Sequence, residues 1–285
     1  MLKESKIKYW FLFPGVLWVF AFTIFPLIYA ARLSFFNYRL GRRMIFIGGK
    51  NFLKAFTYSR FWNAIQVTLF IVLIAVTIEI VLGLLLALHF NKEMRGNRVF
   101  RTLLTIPLFA TPVAVGYLGI TLFYETSGPL NMFLSHFGIG VPWLSHPVWA
   151  KMSIILLDIW IWTPFCFLVL LAGLRSISEE IYEAAYIDTN SELQIFRHIT
   201  LPLLLPILGI VVVLRLVEAF KVFDIPYALT LGGPGISTEV YPILVYRTAL
   251  KNFNFGYASA LSFILLGIVM SIVIIFFKRM RKIYE

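Results

Sequence analysis

Glu79, Asp158, Arg215, Glu218, Lys221 and Asp224 stand inside or at the ends of long apolar runs. A charge at membrane depth costs about 2.5–3.5 kcal/mol on insertion scales, so each points to a function or to a neutralising partner. Arg215, Glu218, Lys221 and Asp224 recur every three residues with alternating sign, a drifting helical stripe in which neighbours can pair. Structural ion pairs facing a bundle interior and a solute or proton path are both compatible with that stripe. Asp158, Ile161, Trp162 and Phe165 follow the i, i+3, i+4, i+7 spacing of one helix face. A carboxylate accepts hydroxyl hydrogens and an aromatic face covers C–H surface, a combination that suits a sugar. Aromatic core packing is the plainer alternative. No enzyme chemistry competes with these readings. His89, His136, His146 and His198 are isolated, the lone Cys166 reads as a small apolar helix residue, and no metal or nucleophile spacing occurs. A phosphate loop is also missing: Gly49-Lys50 is followed by Asn51, and position 44 is Met. No catalytic residue, metal or cofactor is therefore expected on this chain.

The elements that must position these residues are membrane spans. Apolar residues make up 60% of the 285 and charged residues only 14%, with a mean hydropathy of +0.87. A hydrocarbon core about 30 Å thick takes roughly 20 helical residues. Six runs reach that length: about 10–31, 64–90, 101–124, 149–174, 202–225 and 256–277. The first follows Lys3, Lys6 and Lys8 but is too long for a signal-peptide core and lacks a small-residue cleavage pattern, so it reads as a retained helix. Pro14, Pro26, Pro107, Pro112, Pro164 and Pro206 lie in or beside spans, where neighbouring helices can re-satisfy freed carbonyls. The expected fold is all-α, a polytopic bundle of six transmembrane helices in one domain, 1–285.

The net charge of +11 does not point to nucleic acid, because the basic residues are scattered between apolar runs without interleaved aromatics. Their placement reports orientation instead. Lys3, Lys6 and Lys8, then Lys92, Arg95, Arg98 and Arg101, then Lys278, Arg279, Arg281 and Lys282 fall on one side, which should be cytoplasmic together with both termini. Loops 125–148 and 226–255 read as outward and poor in Lys and Arg. Loop 32–62 is the exception, with Arg32, Arg39, Arg42, Arg43, Lys50, Lys54 and Arg60 on the outward side. It is either a docking surface for an external partner or simply a charged loop.

Between the fourth and fifth spans lies an acidic segment, 176–200. Ser176 or Ser178 followed by Glu179 and Glu180 signals a helix start. Ser191 with Gln194 three residues on gives a second start of capping-box spacing. Two short helices thus flank a turn at Thr189-Asn190, the first carrying Ile181, Ala184, Ala185 and Asp188 on one face. A helix lying on lipid favours Lys and Arg on its polar face. Here Glu179, Glu180, Glu183, Asp188 and Glu192 face only Arg175 and Arg197, so the segment fits a protein partner.

At these residues the sequence resembles the binding-protein-dependent ABC importer permeases of carbohydrate type, the maltose and glycerol-3-phosphate transporter subunits. Glu183-Ala184-Ala185 with Ile199-x-Leu201-Pro202 looks like their coupling loop. Ala172-Gly173-Leu174-Arg175-Ser176-Ile177, Leu231-Gly232-Gly233-Pro234-Gly235 and Phe255-Gly256-Tyr257-Ala258-Ser259-Ala260 look like further signatures, so the match spans nearly the whole chain. The resemblance implies a type I importer permease in the cell (inner) membrane. It pairs with a second permease, usually a different chain, with two ATPase subunits that carry ATP and Mg, and with an extracytoplasmic solute-binding protein. Glu183, Ala184, Ala185, Asp188, Thr189, Asn190 and Ser191 would then plug into the ATPase, whose closure drives alternating access. Aligned on Trp160, Pro164 and the Gly-Gly-Pro landmark, Asp158, Ile161, Trp162 and Phe165, then Phe220 and Lys221, match positions lining the sugar path. Where the family usually has glycine after the loop's Asp, this chain has Thr189, so either the turn differs or Asn190 takes the left-handed position. The solute expected from the resemblance is a neutral oligosaccharide, while the basic loop leaves room for a sugar phosphate or uronate. The alternative of another class is an ion- or proton-coupled secondary transporter using Glu79, Asp158 and Asp224.

Overall fold

A computed structural model describes the backbone of residues 2–92 and 96–284 and the side chains of 9–92 and 96–279. The side chains of Lys3, Lys6, Lys8, Arg95, Arg281 and Lys282, used above for orientation, lie outside the described residues. In chain order the helices are α1 (Leu2–Val19), α2 (Phe25–Ser34), α3 (Lys50–Thr57), α4 (Ser59–Asn91), α5 (Asn97–Thr105), α6 (Pro112–Leu122) and α7 (Pro129–Ser135). They continue with α8 (Pro147–Arg175), α9 (Glu179–Asp188), α10 (Glu192–Ile195), α11 (Leu201–Ala219), α12 (Asp224–Thr230), α13 (Tyr241–Tyr246) and α14 (Phe255–Tyr284). A two-residue hairpin, β1 (Phe36–Asn37) with β2 (Ile45–Phe46), is the one sheet among the described residues.

Five helical stretches are long and apolar enough to cross a membrane: Tyr9–Ser34, Ser59–Asn91, Pro147–Arg175, Glu192–Ala219 and Phe255–Arg279. The third expected span, 101–124, is not a continuous helix. It breaks between Asn97–Phe109 and Pro112–Leu122, which meet at 97°. Two prolines cause the break. Pro107 sits in a 3₁₀ turn, and Thr111, held extended at ψ 130° ahead of Pro112, starts a new helix. The fifth span is displaced toward the N-terminus. It begins at Glu192, runs through a π turn at Phe196–Thr200, and ends at Ala219. Asp224 therefore lies outside that span, at the N-terminus of α12, where a carboxylate meets the positive end of the helix dipole. The expected outward loop 226–255 is likewise largely helical and carries Arg247 and Lys251.

The chain divides into two compact units, Met1–Trp62 with Leu244–Ile268, and Asn63–Ile243 with Val269–Glu285. In the first, Asn51 anchors the chain after α2 by donating to the Ser34 and Phe36 carbonyls at 2.8 and 2.9 Å. Gly256 opens α14 against that segment, and a Cβ there would collide with the Phe36 carbonyl and lie 3.0 Å from the Tyr38 nitrogen. The second unit holds the core. One cluster joins α4, α6, α8 and α12 around Ile71, Val115, Ile154 and Ile225, and another joins α4, α8 and α11 around Phe167, Leu170 and Leu204. Helices that cannot rely on a hydrophobic driving force in lipid associate where small residues admit close approach. Gly83 in α4 does this against α8, since an added Cβ would lie 2.6 Å from the Cys166 Cβ and 2.9 Å from the Phe167 nitrogen. Gly116 does the same between α6 and α12.

Candidate functional site

The acidic loop forms from local signals. Ser178 occupies the N-cap of α9 with extended backbone, although its hydroxyl makes no capping bond. The Ser176 hydroxyl instead donates to the Gly173 carbonyl and closes α8. Ser191 caps α10 by accepting from the Gln194 N–H at 3.4 Å. The reciprocal half of the capping box is rerouted through Thr189. Its hydroxyl donates to the Gln194 Oε1 at 2.6 Å and accepts from the Ser191 N–H at 3.2 Å. Thr189 has φ −155° and ψ 143°, and neither it nor Asn190 has a positive φ. The turn therefore needs no glycine, because a β-branched residue is at ease in extended backbone. Of the two alternatives, the turn has the different geometry, and Asn190 is not left-handed.

The faces of α9 also differ from expectation. Ala185 is buried, while Ile181, Glu183, Ala184 and Asp188 are exposed, so Ala184 and Ala185 do not share one docking face. Ile187 and Leu193, 87% and 74% exposed, place bare apolar groups on the acidic knob. The sequence reading missed both, though β-branched or apolar residues beside an acidic turn were the available signal. Tyr182 donates to the Thr200 hydroxyl at 3.2 Å. Lys92, following α4, pairs with Glu192 at 2.8 Å in solvent. That contact raises the lysine from its ordinary value. Because α10 runs through the π turn into α11, the knob is continuous with a membrane span.

That span carries Arg215. Its Nε donates to one Glu79 oxygen at 2.6 Å and its Nη2 to the other at 2.9 Å, with Asp158 Oδ2 at 3.3 Å. The guanidinium carbon lies 4.4 Å from the centre of a Trp162 ring. Arg215 and Glu79 are fully buried and Asp158 is 3% exposed. Three helices, α4, α8 and α11, thus meet on one guanidinium, whose planar fork matches a carboxylate edge to edge. Arg215 does not pair within its own helix. Glu218 pairs instead with Lys221 at 2.7 Å, exposed.

Beside this triad lies a cavity of about 270 Å³, lined by Asp158, Trp162, Glu218, Lys221, Phe223 and Asp224 among others. Of the six residues expected on the solute path, Asp158, Trp162 and Lys221 line it. Ile161 and Phe220 are buried in packing, and Phe165 packs against the cluster around Phe167. The four-residue face on α8 is therefore divided between cavity and core, because neighbouring helices cover most of it. Glu218, Phe223 and Asp224 are lining residues that helical spacing did not single out. Glu218 lies in the last turn of α11, Phe223 ends the break at 220–223 that separates α11 from α12, and Asp224 opens α12.

Residues 79–285 match the family of binding-protein-dependent transport system inner membrane components. The chain belongs to this family. As a permease it is 35% identical over 279 residues to the trehalose/maltose transport system permease protein MalF of Thermococcus litoralis, covering 97% of this chain and 94% of that protein. It is 32% identical over 272 residues to the sulfoquinovosyl glycerol transport system permease protein SmoG of Agrobacterium fabrum, covering 94% and 88%. Among solved structures it resembles a chain of a bacterial alginate ABC transporter in complex with an alginate pentasaccharide-bound periplasmic protein. The TM-score is 0.87, with 26% identity over 99% of this chain and 96% of that one. The fold is that of an ABC importer permease, and nothing in these likenesses favours an ion-coupled secondary transporter.

A clamp outside both sites completes the second unit. Glu125 Oε1 accepts from the Leu144 and Ser145 N–H groups at 2.9 and 2.7 Å, and Oε2 accepts from the Ser145 hydroxyl at 3.0 Å. Burial works to raise this carboxyl, but the donors outweigh it and hold it below the ordinary value. Asn131 accepts from Trp143 Nε1 at 2.9 Å and donates to the Glu125 and Val141 carbonyls, so segment 125–145 is closed on itself, and Ser153 of α8 donates to the Trp143 carbonyl at 3.3 Å.

Proposed function

We propose that this permease carries a sugar or sugar-derived solute, delivered by an extracytoplasmic binding protein, across the cell membrane by alternating access. The observation that carries the reading is the continuity of the acidic knob with the span bearing Arg215. From Ser191 to Arg215 is 24 residues, about 36 Å at 1.5 Å per residue. Displacement of Glu183, Ala184, Ala185, Asp188, Thr189, Asn190 and Ser191 by a partner would be passed along one helical rod to the cavity of Asp158, Trp162 and Lys221. Continuous packed elements with two arrangements are what such coupling requires. The exposed Ile187 and Leu193 give an ATPase groove apolar anchors ringed by acidic groups. ATP and Mg belong to two such ATPase subunits, and this chain contributes no covalent chemistry.

The cavity is smaller than the 300–1,000 Å³ typical of a complete small-molecule site, which suits one half of a path closed by a second, unlike permease. Trp162 offers a ring face, and Lys221, Glu218 and Asp224 offer hydroxyl partners. The relatives whose names state a solute span neutral and anionic saccharides, so sugar class rather than charge is what they support. Both termini and the acidic loop are assigned to the cytoplasm. The test is uptake of radiolabelled trehalose, maltose and uronate oligosaccharides by proteoliposomes holding the assembled transporter and its binding protein. ATP-dependent uptake of at least one of them is expected. Uphill uptake that persists when the partner ATPase is inactivated would defeat the proposal.

A further inference from the structure

Beyond Glu4, the first unit has no aspartate or glutamate: none stands between Ser5 and Ile78, and none in 244–268. Four of its cations are concentrated on the hairpin and just after it. β1 and β2 pair antiparallel, with Phe36 opposite Phe46 and Asn37 opposite Ile45. The link between them holds Arg39, Arg42 and Arg43, and Lys50 opens α3. All four are exposed, and none makes an ion pair with a described residue. The link folds back on itself, the Arg42 N–H donating to the Arg39 carbonyl at 3.0 Å with Gly41 at φ 76° between them. Three guanidinium side chains therefore leave one tight turn, where like charges repel. Lys50 adds a fourth cation at the positive end of the α3 dipole, the end that favours an anion.

This turn is held in place. The Leu40 N–H donates to the Phe253 carbonyl and the Gly256 N–H to the Tyr38 carbonyl, each at 3.1 Å. The Phe36 and Phe46 rings meet edge to face at 5.3 Å across the two strands. A partner that docks on a fixed scaffold has little ordering cost to overcome.

Membrane topology does not explain the patch. Lys and Arg accumulate in cytoplasmic loops, and the negative surface potential of anionic lipid also belongs to the cytoplasmic leaflet. The hairpin follows the first span and lies on the side assigned as extracytoplasmic, so its counter-charge has to come from a partner on that side. Leu40, Ile45 and Phe46 are exposed beside the cations. Arginine with bare apolar and aromatic groups is the composition of a protein interface.

We propose that this hairpin is the docking patch for an acidic surface of the extracytoplasmic solute-binding protein, and that its charge steers that protein onto the permease. The proposal rests on the delivery reading given above and adds where the protein lands and the sign of the face it presents. Exposed charges of this kind act on the rate of encounter more than on the lifetime of the complex.

Surface plasmon resonance tests this, with the assembled transporter in phosphatidylcholine nanodiscs and its solute-binding protein as analyte. The association rate should fall about ten-fold between about 20 and 300 mM salt, as steered encounters do. Arg42→Glu with Arg43→Glu should lower it about ten-fold at the low-salt end and leave the dissociation rate within about two-fold. Arg42→Lys with Arg43→Lys, which keeps the charge, should retain the wild-type rate. Both positions are exposed, so unfolding midpoints should not move. An association rate indifferent to salt or to the charge reversal would overturn the proposal. A reversal effect seen in phosphatidylglycerol nanodiscs and absent in phosphatidylcholine ones would assign the hairpin to lipid and overturn it as well. ATP-dependent uptake with charge-indifferent docking would sink this proposal and leave the delivery reading standing. Wild-type transporter that does not bind the solute-binding protein at all would take down both.

Discussion

Replacing Arg215 by Met isolates the triad that joins α4, α8 and α11. The substitution removes three contacts at once, to both Glu79 oxygens at 2.6 and 2.9 Å and to Asp158 at 3.3 Å. It leaves two carboxylates in a region where Glu79 is fully buried and Asp158 is 3% exposed. Breaking a buried pair by deleting one partner costs about 3–5 kcal/mol, because the remaining charge has neither water nor a donor. The stacking contact with Trp162 at 4.4 Å adds about 0.5–2 kcal/mol. By contrast, removing all three charges together (Glu79→Leu, Asp158→Leu, Arg215→Met) deletes the desolvation penalty along with the attraction. The outcome should be neutral or better by about 1–4 kcal/mol. The assay is unfolding of the detergent-solubilised transporter in increasing SDS, followed by tryptophan fluorescence. A single variant within about 1 kcal/mol of wild type would refute the reasoning. So would a triple variant as unstable as the single one, since the loss would then arise from shape and not from unpaired charge.

Three further outcomes follow from the other contacts. Ile187→Asp or Leu193→Asp on the acidic knob should cut binding-protein-stimulated ATP hydrolysis at least about ten-fold, the scale of losing one apolar anchor of an interface, with unfolding midpoints unchanged. Gly83→Leu should destabilise by about 1–3 kcal/mol or more in the same SDS assay, because even its Cβ meets the Cys166 and Phe167 backbone of α8. The Glu125 carboxyl is held below its ordinary value by donors that exist only in the folded state. Its contribution is therefore complete above the unfolded value of 4.5 and is lost as pH falls through the lower folded value. Below that window, the protection of the Leu144 and Ser145 amides relative to their intrinsic exchange rates should fall, and Glu125→Gln should abolish that pH-dependent loss of protection.

The chain itself declares the class of protein and the place of the acidic loop. Runs of about 20 apolar residues have no soluble explanation, and the caps at Ser178 and Ser191 are local signals that act over three or four residues. The same locality made Asp158, Ile161, Trp162 and Phe165 look like one open face, since helical spacing says which residues share a side and not what covers it. Pro107 and Pro112 were visible in the sequence, but a proline in a membrane helix is compatible with a kink or with a full break. The 97° between the two halves is read only in the tertiary structure, where α6 packs on α12. Thr189 resolved in the same way, its hydroxyl completing a cap that glycine could not supply.

The ionisable residues mark the boundary most clearly. Their presence in apolar runs made them conspicuous, and their spacing every third residue suggested pairing along one helix. Glu218 and Lys221 do pair that way, because both reach solvent. Arg215 does not, because a fully buried guanidinium needs more acceptors than its own helix can present. It draws them from Glu79, 136 positions away, and Asp158, 57 positions away. What residue types must be neutralised follows from composition and hydropathy alone. Which partner does so is a property of how three helices cross.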